Sequence, residues 1–245
     1  MIRGLWDSGA GMIARGVQAD VTASNLSNST TTAFKEDRLT FRDMIDGRLL
    51  LDRTRGVPTP ENRLRGGFET RLRAGALQST GAELDFAVDG PGWFVVETPD
   101  GERFTRDGHF TLSAEGQLVT QDGFPVLGEG GAIRLGPGPV EMTGDGVLSQ
   151  NGTAVGGLRL VEFEEPERLA KLGGNLWTLL DEDQVPLPAQ ESRPVQGMLE
   201  GSNIRVVEQM VRLIEHERSY SFAQKALQIQ DENLGKAVND LGRLR

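Results

Sequence analysis

Residues 206–241 read VVEQMVRLIEHERSYSFAQKALQIQDENLGKAVNDL and place a large apolar side chain at every seventh position. This heptad stripe consists of Val206, Leu213, Tyr220, Leu227, Leu234 and Leu241. A seven-residue repeat keeps one face of a helix against a partner as a left-handed supercoil winds. Because residues 203–243 would span about 60 Å as a helix, we expect this helix to extend beyond the globular part and to need a packing partner.

A second stripe on the same helix is interrupted. Met210 and Val238 are apolar, but Glu217, Gln224 and Asp231 lie between them. A coiled coil with two dry seams is therefore not expected. We predict one apolar face and one polar face.

The first 28 residues predict a second helix. Its apolar residues recur at steps of three and four, typical of an amphipathic helix, and are Ile2, Leu5, Trp6, Met12, Ile13, Val17 and Val21. Gly9 and Gly16 each cost about 1 kcal/mol relative to Ala in a helix. Such a helix is marginally stable in isolation and needs a packing partner. Because both ends of the chain carry apolar stripes, the two terminal helices are predicted to pack on each other. Packing of the first helix on the core of its own domain is the alternative.

Two further segments separate these helices. Residues 31–75 combine Pro58 and Pro60 with many arginines and predict an extended linker, whose arginines are either solvated or contact a neighbour's acidic surface. Residues 76–200 are rich in Gly, with short alternating runs between Asp-Gly turns such as Asp100-Gly101 and Asp122-Gly123. This pattern predicts an antiparallel β domain, with one helical turn at 167–172.

The predicted fold class is therefore α+β. Long helices at 1–30 and 201–245 pack together as a coiled-coil-like stalk, a linker covers 31–75, and a central antiparallel all-β domain covers 76–200.

Composition narrows the function. The chain has no Cys and two His, so disulfides and thiolate metal sites are excluded and a histidine metal centre is not expected. Residues 51–201 hold 13 basic and 24 acidic side chains, a net of −11, which disfavours nucleic acid or anionic membrane as partner. The first 16 residues do not form a secretory signal peptide, and no run is apolar enough to cross a bilayer.

Catalytic motifs are missing from the sequence. It contains no Gly-x-Ser-x-Gly, Gly-Lys-Ser/Thr or His-Glu-x-x-His motif. Glu162, Glu164, Glu165 and Glu167 form an acidic cluster, which is best interpreted as a solvated loop. A carboxylate pair of a cell-wall glycosidase and a secreted β-domain adhesin remain the alternatives. We predict no enzyme activity, catalytic residue, metal, cofactor or small-molecule substrate.

Three motifs follow one another along the chain. The first is Ala23-Ser24-Asn25-Leu26-Ser27-Asn28 with Thr31-Thr32-Ala33-Phe34-Lys35, the second runs from Asp85-Phe86-Ala87-Val88-Asp89-Gly90 to Val126-Leu127-Gly128, and the third runs from Gln196-Gly197 through Leu199-Glu200 and Ser202-Asn203 to Arg218-Ser219-Tyr220. In this order they resemble the bacterial flagellar rod and hook proteins over nearly the whole chain. The family usually has Gly where this chain has Ala33, so a positive φ there would strain the backbone by about 1 kcal/mol or more.

The resemblance implies a structural subunit of the flagellar basal-body rod, self-assembling into a hollow helical shaft that transmits torque. Trp93 after Gly-Pro-Gly, the run 125–131 and the short chain favour the proximal-rod type. Glu208-x-Met210-Val211 and Arg218-Ser219-Tyr220 favour the distal-rod type, and a hook-type protein is the weaker alternative.

The resemblance also implies location and partners. It places the chain in the basal body, exported without a cleavable signal, with copies of itself, other rod proteins and the export apparatus as partners. The predicted assembly interface consists of Ile2, Leu5, Ile13, Val17, Val21, Asn25, Leu26, Asn28, Phe34, Val206, Met210, Leu213, Tyr220, Leu227, Leu234, Val238 and Leu241. We expect the helices to be marginally stable in the free monomer and firm in the assembly.

Overall fold

The computed structural model describes residues 2–39, 68–143, 146–180 and 183–242. The prolines and the arginines between 53 and 65 in the predicted linker lie outside these residues. The side chains of residues 2–11, 68, 234 and 237–242 are also outside the description.

Short antiparallel strands dominate the described chain. The first ten are β1 Asp37–Leu39, β2 Phe68–Thr70, β3 Leu77–Ser79, β4 Phe86–Asp89, β5 Trp93–Thr98, β6 Gly101–Thr105, β7 Phe110–Leu112, β8 Leu118–Thr120, β9 Leu127–Gly128 and β10 Gly131–Ala132. The remainder are β11 Val140–Met142, β12 Val147–Gln150, β13 Thr153–Gly157, β14 Leu160–Glu162, β15 Leu169–Gly173, β16 Leu176–Leu179, β17 Leu187–Pro188, β18 Arg193–Gln196 and β19 Met198–Glu200.

The largest sheet has six strands in the order β15-β16-β6-β5-β14-β17. Its central hairpin joins β5 to β6 through Pro99 and Asp100, with Thr98 paired to Gly101. Gly101 has φ 105°, a left-handed conformation that glycine adopts without steric cost. The Asp-Gly signal in the sequence therefore closes a tight turn at this position.

β5 shows how the core is built. Phe94 and Val96 point into one apolar cluster with Phe86, Phe110 and others, while Trp93 and Val95 point into a second cluster with Phe104 and Trp177. Successive strand residues face opposite sides of a sheet, so both faces of this sheet are covered. The strand consequently reads as a continuous apolar run instead of an alternating one.

Two α-helices occur within the described residues, α1 Ile2–Ser27 and α2 Val206–Gly242, and they contact each other. The end of α1 and the start of α2 lie at the same place, because Asn25 bonds to Asp37 while Gln209 bonds to the adjacent Glu36. The helices therefore run antiparallel away from that point. Neither described helix has the length and apolarity needed to span a membrane.

The predicted fold class is wrong. The described chain is β-rich, with nineteen strands and a 26-residue helix at one end and a 37-residue helix at the other, and the helices do not form a long coiled-coil stalk. The heptad stripe is not a dry seam, because Val206 and Tyr220 are each 38% exposed. The physical reason is that the side of α2 sheltered in the monomer also carries Gln209 and His216, which a coiled-coil seam disfavours.

The helical turn predicted at 167–172 is also largely wrong. A 3-10 turn covers Pro166–Arg168, and the chain then enters β15, where Leu169 and Ala170 are buried. Pairing of Leu169 with Leu179 and of Ala170 with Thr178 places β15 at the edge of the main sheet. Tertiary pairing outweighs local helix propensity in this segment.

Candidate functional site

We call the strands β1–β19 together the β region. Polar and charged side chains are buried where α1, the β region and α2 meet. We call this cluster the polar junction; its members are Asn25, Lys35, Glu36, Asp37, Arg106, Lys171, Glu200, Asn203 and Gln209. All except the half-buried Asn203 are buried. Buried charges are costly unless they are paired and hydrogen-bonded, so this arrangement fixes the positions of the segments that supply it.

Asn25 ties the last turn of α1 to β1. Its Nδ2 donates to the carbonyl oxygen of Asp37 at 2.8 Å, and its Oδ1 accepts from the Asp37 N–H at 3.0 Å. One side-chain amide thus satisfies both backbone groups of a buried residue, as a neighbouring strand would. The helix end is held in register with the strand.

Lys35 and Glu200 form a fully buried ion pair between segments 165 residues apart. Lys35 also donates to the carbonyl oxygen of Arg73 at 3.2 Å, and Glu200 Oε1 accepts from the Gly75 N–H at 2.9 Å. Burial lowers the pKa of Lys35, and the Glu200 carboxylate opposes that shift. The pair joins the segment after α1 to the strand before α2.

Arg106 is a second buried cation beside the same carboxylate. Its Nε lies 3.6 Å from Glu200 Oε2, and its guanidinium carbon lies 5.6 Å from the centre of the Trp93 ring. Within the described residues, Arg106 Nε and Nη1 and Glu200 Oε2 make no hydrogen bond. Burial lowers the pKa of Arg106, with Glu200 opposing it.

Lys171 brings the six-stranded sheet into the junction. Its Nζ donates to Asp37 Oδ1 at 2.8 Å and to the carbonyl oxygen of Lys35. The ammonium also lies 4.3 Å from the centre of the Phe34 ring, a distance at which a cation–π attraction contributes. The edge strand β15 is thereby fastened to the segment that follows α1.

Glu36 gathers contacts from α2. Gln209 Nε2 donates to Glu36 Oε1 at 2.8 Å, and Arg212 Nη1 donates to the same oxygen at 3.2 Å. Asn203 Oδ1 accepts from the Glu36 N–H at 2.8 Å, and its Nδ2 donates to the carbonyl oxygens of Arg71 and Arg73. The start of α2 therefore has a defined direction relative to the β region.

Beyond the junction, α2 presents two different sides. The half-buried side includes Leu213, His216, Ala223 and Leu227. Arg15 of α1 is close enough to His216 for its positive charge to help lower the pKa of the imidazole, after the larger effect of burial. The opposite side, at 100° per residue, carries exposed apolar residues that we call the outer stripe: Val207, Val211, Ile214, Phe222 and Ile229. Val207 is 76%, Phe222 70% and Ile229 58% exposed.

The predicted interface residues are spread over these surfaces. Asn25 is buried, and the half-buried members are Ile13, Val17, Val21, Leu26, Asn28, Phe34, Leu213 and Leu227. Val206, Met210 and Tyr220 are exposed. The backbones of Ile2, Leu5, Leu234, Val238 and Leu241 lie in the helices, but their side chains lie outside the described residues.

Sequence reasoning missed most of the polar junction and the outer stripe. Lys35 and Glu200 belong to the first and the third of the three motifs, but no local sequence pattern indicates that they pair across 165 residues. The outer stripe was detectable in the sequence, because the apolar residues at 207, 211 and 214 are spaced by four and three, as on one face of a helix. The exposed Phe222 and Ile229 continue it after Arg218 and Lys225, whose charges masked the pattern.

The acidic cluster does not have the features of a glycosidase pair. Glu164, Glu165 and Glu167 are exposed. Burial raises the pKa of Glu162, but hydrogen bonds from Ser192 Oγ and from backbone N–H groups at 190–192 outweigh it and lower the pKa. A general acid needs a raised pKa instead. The described residues contain no group of three or more potential metal ligands.

Comparison with known proteins gives a consistent result. A family profile described as "Flagellar basal body rod FlgEFG protein C-terminal" matches residues 195–241, and one described as "Flagellar hook protein FlgE/F/G D1 domain" matches residues 87–153. The chain is 36% identical to the flagellar basal-body rod protein FlgF of Caulobacter vibrioides over 93% of both chains. It is 33% identical to FlgF of Rhizobium meliloti over 100% of both chains, and 32% identical to the rod protein FlgG of Borreliella burgdorferi over 98% of both.

The chain belongs to the flagellar basal-body rod protein family. It is a structural subunit of the rod, located in the flagellar basal body. The predicted family, the structural role and the location are thereby confirmed.

Proposed function

We propose that the outer stripe of α2 binds neighbouring subunits of the rod, copies of this chain among them. The observation that carries the proposal is the row of exposed apolar side chains opposite α1, with Val207, Phe222 and Ile229 more than half exposed. Burying one such side chain contributes about 1.5–3 kcal/mol. A contiguous exposed stripe of this kind is typical of an interaction surface.

The polar junction connects α2, which carries this contact, to the six-stranded sheet. Force applied to α2 reaches the six-stranded sheet through Glu36, Glu200 and Lys171, whose partners come from distant segments. Buried hydrogen bonds and ion pairs of this kind rigidify the connection they form. The subunit can therefore transmit torque without chemistry, and a contact between unlike surfaces that does not close produces a helical shaft.

Several finer points belong to the same proposal. The subunit is of the proximal-rod type, supported by Trp93 after Gly-Pro-Gly and by the run 125–131. It is not an enzyme, supported by the exposed acidic cluster with the lowered pKa of Glu162. It reaches the rod through the flagellar export apparatus, and its assembly surface includes the exposed members of the predicted interface.

The test replaces Phe222 and Ile229 together by Gln in the full chain. The matched control is Q224A/Q230A, which changes two exposed polar positions away from the outer stripe. The outer-stripe variant is expected to fold with wild-type thermal stability but to be absent from isolated basal bodies and to abolish swimming. Normal incorporation and swimming of that variant would contradict the proposal.

A further inference from the structure

The outer stripe carries positive charge as well as apolar side chains. Arg218 and Lys225 are exposed, and at about 100° per residue both lie within about 60° of Phe222 around the helix axis. Residues 218–225 contain no acidic side chain. The middle of the outer stripe therefore presents an exposed phenyl ring between two cations.

A second exposed apolar surface lies in the β region, between the end of β16 and β17. Val185 is 69%, Leu187 43% and Leu180 42% exposed, and we call these three residues the β17 patch. Large apolar side chains that are exposed side by side are typical of an interaction surface. The β17 patch is therefore a candidate partner for an apolar helix face.

The β17 patch lies beside the acidic cluster. Three contacts tie it to residues 162–168, namely the Leu180 N–H donating to the carbonyl oxygen of Arg168 at 3.2 Å, Gln184 Nε2 donating to that of Glu165 at 3.0 Å, and Leu187 paired with Glu162. The carboxylates at 164, 165 and 167 are exposed. Apolar side chains and negative charge thus share one surface.

The outer stripe and the β17 patch are complementary in polarity and in charge. Burial of Phe222 against Val185 removes apolar surface from water, which favours association. Opposite charges around an apolar contact select the partner and fix its orientation. Both surfaces are exposed within one copy of the chain, and Phe222 lies about 24 Å along α2 from Val206, so each surface can take its partner from another copy.

We propose that the outer stripe around Phe222 of one copy docks on the β17 patch of a second copy, with Arg218 and Lys225 facing the acidic cluster. This inference rests on the proposed function of the outer stripe and names the surface that it binds. Because the two surfaces differ, every docked pair still has one of each free. Such a contact continues into an open chain of subunits.

The first test reverses the charges on both surfaces in the full chain. R218E/K225E alone and E164K/E167K alone are each expected to lower the amount of the chain in isolated basal bodies by about tenfold, because like charges then face each other. The four changes together restore opposite charges and are expected to restore incorporation. E164K/E167K leaves the ion pair of Glu165 with Arg168 in place.

The matched control combines R218E/K225E with E115K/E129K, which reverses two other exposed carboxylates of the β region. This variant has the same net charge as the fourfold variant and is expected to stay out of the basal body. Thermal unfolding checks that every variant is folded. Equal incorporation of the fourfold variant and the control overturns the proposal.

The second test identifies the surface that Phe222 touches. A photoreactive benzoyl-phenylalanine at position 222 is activated in isolated basal bodies, and peptides from the product with the mass of two copies are sequenced by mass spectrometry. The cross-link is expected on the peptide that contains Val185 and Leu187. Intermolecular products that map only to other surfaces overturn this inference and leave the proposed function standing, whereas the absence of intermolecular products overturns both.

Discussion

Asn25 of α1 makes both backbone hydrogen bonds of Asp37, donating to its carbonyl oxygen at 2.8 Å and accepting from its N–H at 3.0 Å. Asn25→Ala removes both of these hydrogen bonds from a buried residue, and each loss costs about 1–3 kcal/mol. The free energy of unfolding is therefore expected to fall by about 2–6 kcal/mol in urea titrations. Asn28→Ala is the control, because the hydrogen bonds of the half-buried Asn28 to Ser24 and Thr31 are local to the end of α1, and it should cost less than about 1 kcal/mol. Equal losses would contradict this role of Asn25.

Ala33 has φ 53° and is buried, so the positive φ considered at this position is present. Ala33→Gly relieves about 1–2 kcal/mol of backbone strain but loses a buried methyl and adds chain entropy. Ala87→Gly in β4 also loses a buried methyl group and adds chain entropy, but it relieves no backbone strain, because the φ of Ala87 is not positive. We expect Ala87→Gly to lower the free energy of unfolding by about 1–2 kcal/mol and Ala33→Gly to leave it nearly unchanged. Matching losses would show that Ala33 is not strained.

Lys171 holds the edge of the main sheet on the polar junction, with its Nζ 2.8 Å from Asp37 Oδ1. Lys171→Met leaves the buried Asp37 carboxylate without this cation, and removing one partner of a buried pair costs about 3–5 kcal/mol. Arg168→Met removes an exposed ion pair with Glu165 instead and should cost under about 1 kcal/mol. Differential scanning calorimetry of the two variants measures the contrast. A Lys171→Met protein as stable as Arg168→Met would contradict it.

His216 makes the contact between α1 and α2 sensitive to acid. Burial lowers its pKa, with Arg15 and Arg212 adding to the shift and Glu215 opposing it. The folded protein therefore favours the neutral ring. The effect of His216 on the free energy of unfolding does not change with pH above the unfolded-state pKa of about 6.5. Below that pH His216 becomes destabilising, because the unfolded chain binds the proton more readily than the folded chain. His216→Gln is expected to lose less stability than wild type between pH 7.5 and 5.5 in urea titrations. Parallel losses in the two proteins would contradict this.

The β region illustrates what the sequence could predict. Turn chemistry is local, so the Asp100-Gly101 signal and the runs 103–105 and 117–119 indicated hairpin strands close to β6 and β8. Pairings such as Leu199 with Gln78, or Lys35 with Glu200, join residues more than 100 positions apart and leave no periodic trace. The heptad stripe suggested a seam, but residues with mixed polarity line the side of α2 near α1. Periodicity shows that a face is apolar and does not show which face is covered.

The exposed outer stripe predicts helices that are firm only in the assembly. In the monomer, amide hydrogen exchange in the middle of α2, around Ile214 to Ile229, should be fast. In assembled rods, burial of about two large side chains around each site should slow it by about 100-fold. The amides of β5 serve as the internal reference and should stay protected in both states. Strong protection of α2 in a verified monomer would contradict the prediction.

Site-specific photo-crosslinking in basal bodies tests the outer stripe most directly. A photoreactive benzoyl-phenylalanine at position 222, where the native Phe222 is 70% exposed, is activated in isolated basal bodies, with the same probe at the exposed Gln230 as reference. The proposed contact predicts strong cross-links from position 222 to a rod subunit, either a second copy of this chain or a related rod protein, and weaker ones from position 230. Absence of intermolecular products from position 222, while position 230 gives them, would contradict the central claim that the outer stripe binds the neighbouring subunit.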